Sequence, residues 1–216
     1  MSVKVLIVDN NFISSEMADI SFFGGGERSR IESISNVKRK RESTAGLVAL
    51  KSLFDDDVKR EIVRDEDGRP SFVCGMGEDF NISHSGALTA VAYQKGEEIR
   101  VGIDIEQIKE GRDEKLFRIA ERYFSEKEKE LLKKESSSRE FYRIWTAKEA
   151  EAKMTGFGLS KMLSDGYRTE QENRPKGHFL SYLVIYREEI YIMTLCTNKK
   201  DNVQFMCDEG IEALPF

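Results

Sequence analysis

Two acids with nothing apolar between them on their own side open the chemistry of this chain. In the run Val101-Gly102-Ile103-Asp104-Ile105-Glu106 the apolar residues alternate, so Val101, Ile103 and Ile105 share one face of an extended strand. Gly102, Asp104 and Glu106 share the other. The two carboxylates then point the same way, roughly 7 Å apart at their α-carbons, and Gly102 is expected to leave open space beside them. Like charges so placed repel unless a cation or water lies between them. A solvated strand face is the plain alternative; a hard divalent cation such as magnesium, held by carboxylates, waters and substrate phosphates, is the chemical one.

A second chemical stretch follows in Trp145-Thr146-Ala147-Lys148-Glu149-Ala150-Glu151-Ala152-Lys153, a strong helix pattern. Glu149 and Lys153 are spaced i, i+4 and share a helical face with Trp145 and Tyr142. As a surface ion pair they would contribute at most about 0.5 kcal/mol. On a partly covered face, which Trp145 suggests, Glu149 could complete a metal site or act as a base, and Lys153 could hold a phosphate. Asn81-Ile82-Ser83-His84-Ser85-Gly86 reads as a polar turn whose hydroxyls and backbone N–H groups suit a phosphate. A basic stretch from Arg28 to Arg41 holds Arg28, Arg30, Lys38, Arg39, Lys40 and Arg41 against Glu32. Such a stretch is either a solvated helix face or a contact for phosphate, nucleic acid or an acidic protein. Arg64 and Arg69 flank a turn at Gly68 and could join that patch.

These pieces need elements to carry them. Residues 3–9 read as an opening strand, and residues 12–23 as mixed and open to helix. Gly24-Gly25-Gly26 is expected to break the chain before helices over 27–40 and 42–54. Ala87–Tyr93 is apolar on both faces, the pattern of a buried strand. The second half predicts helices over 113–123, from Ser125 with Glu128 as its capping box, and over 138–156 up to Gly156 and Gly158. Residues 159–177 read as loop. A hairpin over His178–Arg187 and Ile190–Cys196 turns at Glu188-Glu189, and residues 203–207 add a short last strand. Each half thus runs strand, helices, strand, with the boundary placed near residue 97.

Composition narrows the partners. At 216 residues the chain can form one large domain or two small ones, and 39% apolar content supplies a core. A net charge of −5 argues against general nucleic-acid binding. No apolar run reaches the length of a membrane span and no leader pattern opens the chain, so a cytoplasmic location is expected. Cys74, Cys196 and Cys207 form no close pair, and His84 and His178 are the only histidines, so a disulfide framework and a zinc site are not expected.

Taken together, three ordered blocks resemble the 4′-phosphopantetheinyl transferase superfamily in its larger, single-chain pseudo-dimeric class, the type that activates peptide- and polyketide-synthase carrier proteins. They are Phe80–Gly86, Val101–Glu106, and Phe124-Ser125-Glu126 running on to Trp145–Lys153, with Gly156-Phe157-Gly158-Leu159 closing the set. The resemblance implies an α+β fold of two similar subdomains, 1–97 and 98–216, in pseudo-twofold arrangement, each a small mostly antiparallel sheet with helices. It implies a monomeric enzyme that moves the phosphopantetheine arm of coenzyme A to a serine of an acyl or peptidyl carrier protein and releases 3′,5′-ADP. Magnesium would lie on Asp104, Glu106 and Glu149, with Glu149 also a base for the serine and Lys153 beside the phosphates. Coenzyme A would meet Asn81, Ser83 and His84 at its phosphates, Arg64 and Arg69 through an R-x-x-x-G-[K/R]-P element, Arg30 at the 3′-phosphate, and Asp104 through the metal. The sequence departs from the family at Phe157, where a polar or basic residue is usual, and at Glu42, where some members carry arginine. A magnesium-dependent pyrophosphate or nucleotide hydrolase and a non-catalytic nucleotide-binding module are the alternatives.

Overall fold

The computed structural model describes residues 2–11, 20–73, 77–96, 99–109, 113–135, 137–158 and 177–216. The first half runs β1 (Ser2–Asp9), a 3-10 turn at Ile20–Phe23, helices α1 (Gly24–Ser33) and α2 (Val37–Ser52), a short ribbon of β2 (Ile62–Arg64) and β3 (Pro70–Phe72), then the hairpin β4 (Glu78–Ser85) and β5 (Leu88–Lys95). The second runs β6 (Val101–Gln107), helices α3 (Asp113–Tyr123), α4 (Glu126–Glu135) and α5 (Ser138–Thr155), the hairpin β7 (His178–Tyr186) and β8 (Glu189–Thr197), and strands β9 (Asn202–Cys207) and β10 (Glu212–Pro215). The fold is α+β, with two four-stranded sheets ordered β4-β5-β1-β9 and β10-β7-β8-β6.

The two sheets repeat one local arrangement. In each, the second strand of a hairpin pairs antiparallel with the strand that opened that half: β5 with β1, and β8 with β6. Alternation along β1 puts Val3, Val5 and Ile7 into an inter-sheet core with Leu88, Ala90 and Ala92 of β5 and with Val101, Ile103 and Ile105 of β6. The opposite face of β5, with Val91 and Tyr93, is covered by Leu47, Leu50 and Leu53 around α2. A third cluster joins Leu116, Phe124, Phe141 and Tyr142 with Ile192 of β8. Strand β9 returns to the first sheet and pairs parallel with β1, so that sheet takes its edge strand from the second half.

Several local expectations hold and others are corrected. Ser125 and Glu128 form the capping box, with Ser125 N–H donating to Glu128 Oε2 at 2.7 Å. Gly156, at φ 77°, ends α5 in the left-handed region that glycine adopts without a Cβ penalty. The triple glycine does not break the chain but forms the first turn of α1; the break falls at residues 34–36, where Asn36 caps α2 by accepting from Arg39 N–H. The β7–β8 turn sits at Arg187 and Glu188, both at positive φ, one residue earlier than expected. The expectations over 12–19 and 159–176 lie outside the described residues.

The largest correction concerns Asn81–Ser85, which is strand rather than turn. Its polar residues alternate as strictly as apolar ones would, because that face meets β6 and not solvent. The second concerns Gly102. The space on its side is filled, not open: a Cβ there would lie 2.0 Å from Ala150 O and 2.5 Å from Met154 N of α5. The missing side chain is what lets a helix backbone rest directly on β6. Gly102→Ala must push α5 off the strand, and we expect a loss of about 3 kcal/mol of stability, read as a lowered denaturant midpoint; a loss within ordinary surface-mutation scatter would refute the close approach.

Candidate active site

Strands β4 and β6 are facing edges of the two sheets, and their backbones do not pair. Instead alternate side chains of β4 accept the N–H groups of alternate residues of β6. Val101 N–H donates to Asp79 Oδ2 at 2.8 Å, Ile103 N–H to Asn81 Oδ1 at 3.0 Å, Ile105 N–H to Ser83 Oγ at 3.4 Å, and Gln107 N–H to Ser85 Oγ at 3.0 Å. The two serines also donate onward. Ser83 Oγ donates to Asp104 Oδ1 at 2.8 Å and Ser85 Oγ to Glu106 Oε2 at 3.0 Å. The two serine rungs that fix β6 therefore also aim a carboxylate each.

Helix α5 brings the third acid. Thr146 and Thr194 hydroxyls meet at 2.7 Å and fix the helix on β8. With Gly102 beneath Ala150, the next exposed turn places Lys153 Nζ 2.6 Å from Asp104 Oδ1 and 2.9 Å from Ser83 Oγ. Arg69 holds the helix end from the other half. Its Nε donates to Lys153 O at 2.7 Å, and its Nη2 donates to both Asp79 oxygens and to Val101 O. Arg69 is buried, and these bonds engage it with protein rather than with the basic patch it was expected to join.

A cleft of about 430 Å³ runs along the outer side of β4 between α2 and α5. Arg30, Arg64, Arg69, Asn81, His84, Glu149 and Lys153 all line it. Ser83 and Asp104 join it through their bonds to Lys153. Glu106 does not line the cleft; Ser85 holds it, and it senses the charges of Asp104 and Lys153. Arg30 and Arg64 share one carboxylate, Glu27. His84 Nδ1 lies 3.4 Å from Glu42 Oε2, and Lys38 Nζ lies 3.6 Å from Glu42 Oε1, so the acid that departs from the family pattern is paired inside the cleft. Sequence reasoning did not find Asp79 or Glu27. The polar alternation Asp79, Asn81, Ser83, Ser85 was the signal for the first; nothing in sequence ties Glu27 to Arg64, 37 positions away.

The electrostatics of the acids suit a cation. Burial, then repulsion from Asp104, raises the Glu106 carboxyl above its usual range. Burial and the Asp104 carboxylate likewise push Glu149 up to about 7, with Glu106 adding and Lys153 opposing. Asp104 Oδ2 is buried and, among the described residues, has no hydrogen-bond partner. An orphaned buried carboxylate oxygen beside two carboxyls that resist ionisation fits a divalent ion held by oxygens. Among the described residues no three His, Cys, Asp or Glu side chains form a metal-holding group; Lys153 Nζ pairs with Asp104 through Oδ1. His84 is shifted down by burial, with Lys153, Lys38 and Arg39 adding and Glu42 opposing.

Comparison with known proteins points to one family. A family model described as the 4′-phosphopantetheinyl transferase superfamily matches residues 100–195. The chain is 34% identical over 138 residues to the 4′-phosphopantetheinyl transferase HetI of a Nostoc species, a match covering 58% of this chain and 56% of the relative. It is 28% identical over 219 residues to the 4′-phosphopantetheinyl transferase ffp of Bacillus subtilis, covering 94% and 95%. To Sfp of Bacillus subtilis strain 168 it is 34% identical over 146 residues, covering 63% and 62%. The match thus spans a little over half the length of HetI, and nearly all of ffp. Among the described residues no helix is long and apolar enough to cross a membrane.

The Glu149 carboxyl has a consequence for stability. Folded protein keeps a proton there that the unfolded chain gives up near 4.5, so this group's stabilising contribution is full below that value and is lost as pH rises through 7. Glu149→Gln should flatten the decline across that window in metal-free protein and leave the variant more stable above it by on the order of 2 kcal/mol. Urea denaturation on both sides of the window measures this; identical slopes for the two proteins would refute it.

Proposed function

Because the chain belongs to the 4′-phosphopantetheinyl transferase superfamily, we propose that it transfers the 4′-phosphopantetheine arm of coenzyme A to a serine hydroxyl of an apo acyl or peptidyl carrier protein, with magnesium required and 3′,5′-ADP released. One observation carries the reading: Glu149 lines a cleft with Arg30, Arg64, His84 and Lys153, and Lys153 pairs with Asp104, whose other carboxylate oxygen is buried and, among the described residues, unpartnered. A cleft of that size and charge suits a nucleotide bearing several phosphates. Its walls come from both expected units, with Arg30, Arg64 and His84 before residue 97 and Glu149 and Lys153 after it. The reading carries with it a cytoplasmic, monomeric enzyme.

The reaction asks for charge neutralisation and in-line placement more than for covalent help. The serine oxygen forms the new P–O bond, the bond to 3′,5′-ADP breaks, and the serine proton must leave. Asp104, Glu106 and Glu149 would hold the magnesium. When bound, the ion would neutralise the bridging pyrophosphate. Lys153 sits between Asp104 and the cleft and would balance charge on the phosphates and on the departing ADP. Asn81 and Ser83 act here mainly by orienting β6 and Asp104, and Arg69 by holding the end of α5. Glu149 is assigned first to the ion, because a carboxylate on a divalent cation loses proton affinity. Taking up the serine proton, directly or through water, is its second part.

Incubation with coenzyme A, magnesium and an apo carrier protein should add one phosphopantetheine arm to the carrier, seen by mass spectrometry. No addition to any of several carriers would overturn the reading; 3′,5′-ADP appearing without a carrier would replace it with a hydrolase. Asp104→Asn keeps the size and the Ser83 contact while removing the charge, and it should lower kcat/KM by at least about a hundredfold with the fold intact. Retained activity would take Asp104 out of the site.

A further inference from the structure

Glu27 is a buried acid bonded to two of the arginines that line the cleft. Its side chain is 4% exposed, on the first turn of α1. Glu27 Oε2 accepts from Arg30 Nε at 2.9 Å and lies 2.8 Å from Arg30 Nη2. Glu27 Oε1 accepts from Arg64 Nε at 3.2 Å. Arg64 Nη1 donates to Gly68 O at 3.2 Å, which ties the same guanidinium to the turn after β2. The two arginines come from different elements, α1 and β2, and are bridged by this one carboxylate. Each is about a third exposed, at 34% and 35%, and both line the cleft.

We propose that Glu27 is a positioning residue for coenzyme A binding: it locks Arg30 and Arg64 into one anion-receiving pair before the ligand arrives. The inference rests on the reading of the cleft as the coenzyme A site. Two guanidinium groups side by side repel, and each long side chain loses rotamer freedom when it is fixed. A shared buried carboxylate offsets the repulsion and holds both by their Nε edges. The ordering is then complete in the free protein and is not charged against binding. Glu27 touches neither ligand nor reacting atoms in this role; it acts through the arginines.

Two physical effects of removing its charge have opposite signs, so the experiment decides between them. Simple electrostatics makes the wall more positive in Glu27→Gln and tightens the hold on a polyanion. Lost positioning weakens it. We expect coenzyme A to bind Glu27→Gln about tenfold more weakly by calorimetry, with the KM for coenzyme A raised and kcat held in the carrier assay. In an Arg30→Ala/Arg64→Ala background the same change should cost nothing further. Unchanged or tighter binding by Glu27→Gln overturns the proposal, and so does a loss that persists without the arginines, which marks a merely structural acid. Should Glu27→Gln fail to fold, Glu27→Asp keeps the charge but shortens its reach; weaker binding is expected and unchanged binding overturns the proposal. A wild-type protein that binds coenzyme A but modifies no carrier sinks the transferase reading and leaves this one to its own affinities. A wild-type protein that does not bind coenzyme A sinks both.

Discussion

The structure hangs on the seam between β4 and β6. A sheet edge carries unpaired N–H groups that must find partners or water, and an unprotected edge invites pairing with another chain. Here Asp79, Asn81, Ser83 and Ser85 answer one edge from the other with side-chain oxygens. A rung of this kind contributes on the order of 1 kcal/mol, and more where the acceptor is charged, as at Asp79. The seam also does what a backbone ladder could not. A ladder would draw the sheets into one continuous surface, whereas side-chain rungs hold the strands apart and leave hydroxyls to point at Asp104 and Glu106. The spacing of the halves and the aim of the acids thus have a single cause.

Buried charge elsewhere in the chain shows what the site is not. Arg60 is as buried as Arg69, bonded to Asp56 and Glu78 through four side-chain contacts, to Val58 O by a fifth, and set 3.9 Å over the Phe54 ring. Its guanidinium is pushed up chiefly by Glu78, and Glu78 is pushed down chiefly by Arg60, so each stabilises the other's charge. Such a group is closed: every charge has its counterpart, and removing one partner would strand the rest. The Asp104, Glu106 and Glu149 group is open. Glu106 and Glu149 are shifted toward the neutral form, and Asp104 keeps one buried oxygen without a hydrogen-bond partner among the described residues. Arg69 belongs to the closed kind although it lines the cleft, and this separates it from Arg30 and Arg64.

Much of this was legible in sequence where periodicity carried it. Val101–Glu106 as a strand, Ala87–Tyr93 as a buried strand, and the capped helices after Ser125 and up to Gly156 all follow from local pattern and end signals. The same logic applied to Asp79–Ser85 would have given β4, since period two in polar residues is as much a strand as period two in apolar ones. It was hidden because polar residues, read singly, suggest turns; only a partner edge makes an alternating polar face sensible. Gly102 was read as room when it marks contact, because sequence tells that a side chain is missing but not what approaches. The Glu27–Arg64 pair and the return of β9 to β1 are contacts between distant segments and leave no local trace.

The remaining question is why a fold should carry an open acid group at its seam. A carboxyl held near 7 reports that the folded state disfavours the charged form, so the metal-free protein is less stable at neutral pH than the same fold without that acid. A cation would reverse the sign: it binds the folded arrangement, draws the acids to their charged forms and releases their protons, and so returns stability in proportion to its occupancy. Lys153 holds one acid in the meantime, at 2.6 Å from Asp104, and so limits the repulsion without satisfying Asp104 Oδ2. An ammonium paired with every acid would make a second closed group like that of Arg60, stable and unable to accept anything. Lys153 instead stands at the side of the cleft, and Asp104 Oδ2 is left, among the described residues, without a partner.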